Sequence, residues 1–264
     1  GQPFMITCPI GLYSKALVTD KTSAKTGMGK KAHMALKTTT SYMGCESFPL
    51  GLSLESQLPT GKGMAASTAD IVAVIQAVAT AIDEELEPEE IAEIAAGIEP
   101  TDGIFYPGIV QMNYMTGELI KSYGNAPKMI IAMFDMGGSI NTVEFHSEYH
   151  GHEDSPKELL EAIDKLDVDF SPRQIAHVAT LSALANQKLV PKPHLEEIIK
   201  YSATLGALGV NVAHSGTMVG VLFAPDESMK HVMEAVEKIR EKFPELEYFE
   251  TERLISGGYD IEQR

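Results

Sequence analysis

Thiols are scarce in this chain. It has two cysteines, Cys8 and Cys45, in 264 residues; two thiols could pair, but nothing else suggests an exported disulfide scaffold, and a reducing cytoplasm is the expected setting. Long apolar runs are missing too. No stretch approaches the roughly 20 residues of a membrane span, and the opening Gly1-Gln-Pro-Phe-Met-Ile-Thr-Cys8 lacks the charged start of a secretory signal. There is no internal repeat and no low-complexity tract. Positive charge is short: 21 Lys and Arg stand against 37 Asp and Glu, a formal net charge of −16. Such a chain repels nucleic-acid backbones, and Lys30-Lys31 is too brief to form a basic stripe. Neither nucleic acid nor membrane is an expected partner. An anionic ligand would need positive potential built locally, from backbone amides, a lysine or a divalent cation. The rest is ordinary globular composition, 44% hydrophobic and 22% charged, at a length comfortable for two domains.

Strands and helices are mixed along the chain. Pro3 to Ile10 reads as a strand entering a turn. Ser14 to Ser47 is rich in Lys and Thr and predicts strands and loops. Gly51 to Leu58 alternates apolar and polar residues, as a half-buried strand does. Ile71, Val74, Ile75, Val78 and Ile82 recur at three- and four-residue steps, predicting a helix over 67–81 with one buried face. Pro88 starts a second helix, with acids in its first turn, ending near Gly97. Lys128 to Asp135 is a buried strand. Helices are expected over 155–166, capped by Ser155 with Pro156 first, and over 171–186, 193–208 and 227–241. Strands are expected over 219–224 and 248–254. The Gly/Asn/Pro turn at Ser122–Pro127 is the expected domain seam. The late order of elements suggests helices stacked on an antiparallel sheet.

One segment points to chemistry. Pro59-Thr-Gly-Lys-Gly-Met-Ala-Ala-Ser-Thr-Ala-Asp70 is a glycine-rich loop running straight into the 67–81 helix. Such a loop gathers backbone N–H groups, and the helix start adds its positive dipole end, which suits phosphate. It is not a P-loop, because Lys62 sits between two glycines. Gly61-Lys-Gly-Met-Ala-Ala66 meets the dinucleotide fingerprint only loosely, and the chain continues into a helix, an acidic turn and another helix rather than a second parallel strand. The plain alternative is a glycine turn capped by Ser67 or Thr68.

The same segment resembles the second motif of the GHMP kinases, P-x-x-x-G-[LM]-x-S-S-[AT]. Within that superfamily it is most similar to the L-threonine kinases of cobalamin side-chain synthesis and propanediol utilisation, with their G-K-G-M-A-S-S-T-A-D-I run. Pro3 to Ile10 followed by Tyr13-Ser14 resembles their P-F-[LI]-[IV]-[TS]-C-P-[IV] segment. Glu99-Pro-Thr-Asp102 resembles their E-P-T-D, and Ala213-His-Ser-Gly-Thr217 their third motif, G-A-H-S-G-T. The first of the motif's paired serines is Ala66 here. The family's first motif, C-G-E-L-V-Q-G-like, belongs upstream of Gly1 and is missing from the chain as given.

The resemblance implies an α+β, two-domain GHMP kinase fold: a ribosomal S5 domain 2-like N-terminal domain over 1–127, which binds ATP, and a ferredoxin-like C-terminal domain over 128–264. It implies MgATP-dependent phosphorylation of the L-threonine hydroxyl to O-phospho-L-threonine, with ATP and Mg²⁺ as cofactors and a small molecule as partner. The alternatives are another small alcohol (serine, homoserine, an isoprenoid alcohol) or a non-catalytic nucleotide-binding homologue. By analogy Pro59, Gly61, Lys62, Gly63, Met64, Ala65, Ala66, Ser67 and Thr68 hold the nucleotide phosphates. Lys62 either adds charge there or is a solvated loop lysine. Asp102 addresses the acceptor hydroxyl, or else merely makes an Asx-type turn. Asp70, Glu99, Thr101, His214, Ser215 and Gly216 are candidate substrate or phosphate contacts, and Ser67 with Glu93 candidate Mg²⁺ ligands; spacing alone does not choose between Glu90 and Glu93. Asp135-Met-Gly-Gly138 resembles a D-x-G-G turn of the threonine kinases that lines the site. The run His146 to Asp154, rich in His and acids, either binds a metal or is a solvated polar loop.

Overall fold

The computed structural model describes residues 3–138 and 155–262. The run His146 to Asp154 lies outside them. The chain divides into two compact units. One holds the described residues up to Thr60, Ala65–Asn125, and those from Ser256 on; the other holds Gly61–Met64 and the described residues of 126–255.

In the first unit, β2 (Ser14–Thr19), β4 (Gly51–Ser56) and β3 (Lys25–Thr26) form one sheet in the order β2-β4-β3. A second sheet has the order β1-β5-β6, from Met5–Ile6, Ile109–Met112 and Leu119–Gly124. Three helices complete it: α1 (Lys30–Tyr42), α2 (Ala66–Ala81) and α3 (Pro88–Ala96). Helix α2 is the spine. Ile71, Val74, Ile75 and Val78 are buried in a core with Leu52, Leu54, Ile91 and Phe105. Each such aliphatic side chain contributes about 1.5–3 kcal/mol relative to exposure. Helix α3 begins as its sequence predicts: Pro88 stands first, and Glu87 and Glu90 form a reciprocal capping box.

Helix α1 corrects the expectation of strands and loops over Ser14–Ser47. Its buried face is Ala32, Ala35, Thr39 and Thr40, small or polar residues that leave no large apolar periodicity to read. Thr40 satisfies its hydroxyl locally, donating to the Leu36 carbonyl at 2.6 Å.

The second unit is a four-stranded antiparallel sheet among the described residues, in the order β10-β7-β9-β8. Its strands are β7 (Ile130–Asp135), β8 (Gly209–Val212), β9 (Met218–Phe223) and β10 (Glu247–Arg253). Within this unit the order is 4-1-3-2, the split arrangement of ferredoxin-like folds. The central strands read as continuous apolar runs because β7 and β9 each lie between two neighbours and are buried on both faces. Helices α4 (Lys157–Asp164), α5 (Pro172–Asn186) and α6 (Leu195–Thr204) precede β8, and α7 (Met229–Lys242) follows β9. Ser171 caps α5, accepting from the Gln174 N–H. In α4 the cap position is Pro156 rather than Ser155, and the helix starts at Lys157. No helix among the described residues is long and apolar enough to cross a membrane.

Candidate active site

The glycine loop has an unusual backbone. Gly61 (φ 76°), Gly63 (φ 77°) and Ala65 (φ 56°) are left-handed, while Lys62 and Met64 between them are not. Where right- and left-handed residues alternate, successive N–H groups can converge on an anion. Glycine tolerates the conformation freely; Ala65 adopts it at a cost of about 1–3 kcal/mol, a strain typical of functional sites. Ala65 is the N-cap of α2, and no side chain caps the helix. Ser67 and Thr68 therefore do not cap a simple turn. They lie inside the first turn of α2, and their hydroxyls point at acids.

Those acids come from the turn after α3. Ser67 donates to the Glu99 carboxylate, whose other oxygen pairs with the Lys31 ammonium from α1. The Thr68 hydroxyl, itself buried, donates to Asp102 Oδ2 at 3.2 Å and accepts from the Asp102 N–H at 3.2 Å. Burial pushes the Asp102 carboxyl up to about 6; the Thr68 hydrogen bond opposes this, the Glu99 charge adds to it, and Lys31 counters. Thr101 is buried beside it, with its hydroxyl lacking a partner and its N–H bound to the Tyr114 carbonyl at 2.8 Å. Met112 fills the space next to Gly103, so a Cβ there would meet its sulfur.

The loop residues 61–64 belong to the other unit. There Lys62 pairs with Asp135 Oδ2 at 2.5 Å and donates to the Gly138 carbonyl at 2.7 Å. Asp135 also accepts from the Thr217 hydroxyl at 2.6 Å and the Gly137 N–H at 3.0 Å. Burial alone would raise its pKa, but these hydrogen bonds and the Lys62 charge outweigh burial and hold it below its usual value. Lys62 is thus not a solvated loop lysine. The Thr217 N–H donates to the Lys62 carbonyl at 3.2 Å. A Cβ on Gly63 would lie 2.6 Å from the Ala213 Cβ and 2.8 Å from the Gly216 Cα, so Gly63 is demanded by packing against the 213–217 turn.

Not every sequence candidate joins these clusters. Asp70 accepts from the Ser14 hydroxyl of β2 at 2.6 Å. Glu90 is engaged at the start of α3 and by the Tyr42 hydroxyl at 3.0 Å. Glu93 lies on the exposed face of α3; the acid that meets Ser67 is Glu99. Pro59 and Met64 flank the loop half-buried. Ala66 is the first residue of α2. His214 and Ser215 are half-buried in the turn, and Gly216 abuts the Lys62 backbone. Among the described residues no group of three or more His, Cys, Asp or Glu is arranged to hold a metal ion. Sequence reading missed Lys31, which registered only as part of a short basic pair, and the hold of Thr217 on Asp135.

Residues 30–105 match the GHMP kinases N terminal domain, and residues 159–242 the GHMP kinases C terminal domain. The L-threonine kinase of Citrobacter freundii is 24% identical over 275 residues, covering 99% of this chain and 93% of that protein. The L-threonine kinase of Salmonella typhimurium is 24% identical over 229 residues, covering 84% of this chain and 76% of the relative. Among solved structures, Methanococcus jannaschii mevalonate kinase superposes with a TM-score of 0.72 at 16% identity, over 96% of this chain and 92% of that one. A homoserine kinase from Cytophaga hutchinsonii gives a TM-score of 0.65 at 16% identity, over 92% and 86%.

Proposed function

Since this chain belongs to the GHMP kinase family, we propose that it transfers the terminal phosphoryl group of ATP to a small-molecule hydroxyl, and that the acceptor is L-threonine. The observation that carries the reading is the start of α2. Left-handed residues at 61, 63 and 65 lead into a helix that no side chain caps, and the next two hydroxyls meet Glu99 and Asp102. In this reading residues 1–127 form the ATP-binding domain and 128–264 the C-terminal domain.

Phosphoryl transfer asks mainly for positioning and charge neutralisation. The N–H groups of the loop and the dipole end of α2 receive the phosphates. The Ser67 hydroxyl and Glu99 carboxylate are hard oxygen donors in contact, which fits Mg²⁺, an ion that keeps several waters and takes one or two carboxylates besides phosphate. When bound there, Mg²⁺ supplies positive charge to the phosphates. Asp102 accepts the proton of the attacking hydroxyl. With its carboxyl at about 6, it is ionised at neutral pH yet basic enough to help. Thr68 fixes its orientation from both the N–H and the carboxylate side.

The choice of L-threonine rests on the two L-threonine kinases that align along most of this chain. ADP release with MgATP is the test, with L-threonine beside L-serine, L-homoserine and mevalonate. Turnover with L-threonine alone supports the full reading. Turnover with another alcohol keeps the reaction and replaces the substrate. ATP binding without turnover on any acceptor favours a non-catalytic homologue.

A further inference from the structure

The 213–217 turn is held by two buried side chains that the proposed reaction does not use. Lys192, 3% exposed, donates from Nζ to the Ala213 carbonyl at 3.1 Å. Asn186, 6% exposed, donates from Nδ2 to the His214 carbonyl at 3.2 Å, and its buried Oδ1 has no partner. Two consecutive carbonyls of the turn thus each accept from a buried side chain. The same turn meets the glycine loop: Gly216 abuts the Lys62 backbone, and the Thr217 N–H donates to the Lys62 carbonyl.

Lys192 is itself held firmly. Pro191 and Pro193 flank it, and a following proline restricts a residue to extended backbone. Gln187 at the end of α5 clamps its main chain from both ends: the Lys192 N–H donates to Gln187 Oε1 at 2.6 Å, and Gln187 Nε2 donates to the Lys192 carbonyl at 2.9 Å. An ammonium has three donors; here one meets a neutral carbonyl, and among the described residues no carboxylate pairs with it. Burial pushes the Lys192 amine down to about 8. A buried, unpaired charge costs stability that a methionine at the same place would not. A residue kept at that expense, on a rigid mount, aimed at one turn, suits a positioning task.

We propose that Lys192 is a positioning residue for phosphoryl transfer: its grip on the Ala213 carbonyl fixes the 213–217 turn, and through that turn the glycine loop at Lys62–Gly63. The proposal rests on the reading that this loop holds nucleotide phosphates.

The test compares the full chain with Lys192→Met and Lys192→Arg by three readouts: thermal midpoint, amide hydrogen exchange at 61–64 and 213–217, and affinity for MgATP. In Lys192→Met the midpoint should hold or rise. Exchange in both segments should quicken by about tenfold, and MgATP affinity should drop by roughly tenfold. Lys192→Arg keeps the charge and should return both to within about threefold of wild type. Should Lys192→Met fail to fold, Lys192→Gln, neutral but still a donor, is judged by the same criteria. A lowered midpoint with unchanged exchange in the two segments overturns the proposal, as does wild-type affinity in the folded neutral variant. If the wild type binds no MgATP, the phosphate reading fails by itself, and the exchange arm still decides whether Lys192 fixes the turn.

Discussion

Asp102 and Asp135 carry the same side chain, and their surroundings shift its pKa in opposite directions. Asp102 is buried with one hydroxyl donor to its carboxylate and Glu99 as a neighbouring anion, and its pKa rises to about 6. Asp135 is also screened from water, but Lys62, Thr217 and the Gly137 N–H all donate to it, and its pKa falls. A carboxylate with few donors can take a proton near neutral pH. One with saturated lone pairs is a fixed anion that ties segments together. In the proposed reading the environment divides the two residues into a base and a fastener, although each is followed closely by glycine in the sequence.

The sharpest way to break this comparison is Asp102→Asn. Turnover should fall by about 10³-fold while MgATP affinity stays within about threefold, read from steady-state kinetics and calorimetric titration. Next comes Gly63→Val. A side chain there collides with Ala213 and Gly216, so the loop must move off the turn. We expect a stability loss of about 2–3 kcal/mol in denaturant titration together with loss of nucleotide binding. Asp135→Asn leaves the shape but weakens the Lys62 pair. It should lower MgATP affinity by about tenfold with little change in kcat once nucleotide is saturating, the reverse of the Asp102 pattern. The smallest effect is at Lys31. Its charge lowers the Asp102 pKa, so Lys31→Met lets that pKa rise, and the acid side of the pH–rate profile should move to higher pH.

The parts legible in the sequence were those with strong local signals. Ile71, Val74, Ile75 and Val78 announce α2; Ser171 and Pro172 announce α5; the apolar run before Asp135 announces β7. Helix α1 stayed hidden because its buried stripe is alanine and threonine. The loop motif marked a candidate site but not its wiring. Lys62 meets Asp135, and Lys31 meets Glu99, across long stretches of chain. Such pairs are set by tertiary packing, and no local pattern encodes them. At Gly63 the structure adds a packing demand that the motif does not carry, since a side chain there would meet the 213–217 turn. Ala65 gave no signal at all, since a left-handed alanine is forced by its surroundings rather than by its own preference.

The division of labour between the two aspartates is tested most directly by the pH dependence of kcat/KM for wild-type enzyme with MgATP and L-threonine, which reports the free enzyme's ionisations. Asp102 must be ionised to accept a proton, so activity is full above its pKa and lost below it. The account predicts a plateau at neutral pH and a fall approaching tenfold per pH unit below about 6, absent from the residual activity of Asp102→Asn. A profile flat from pH 5 to 7 (on the order of two units spanning that pKa) would contradict the assignment of Asp102 as base.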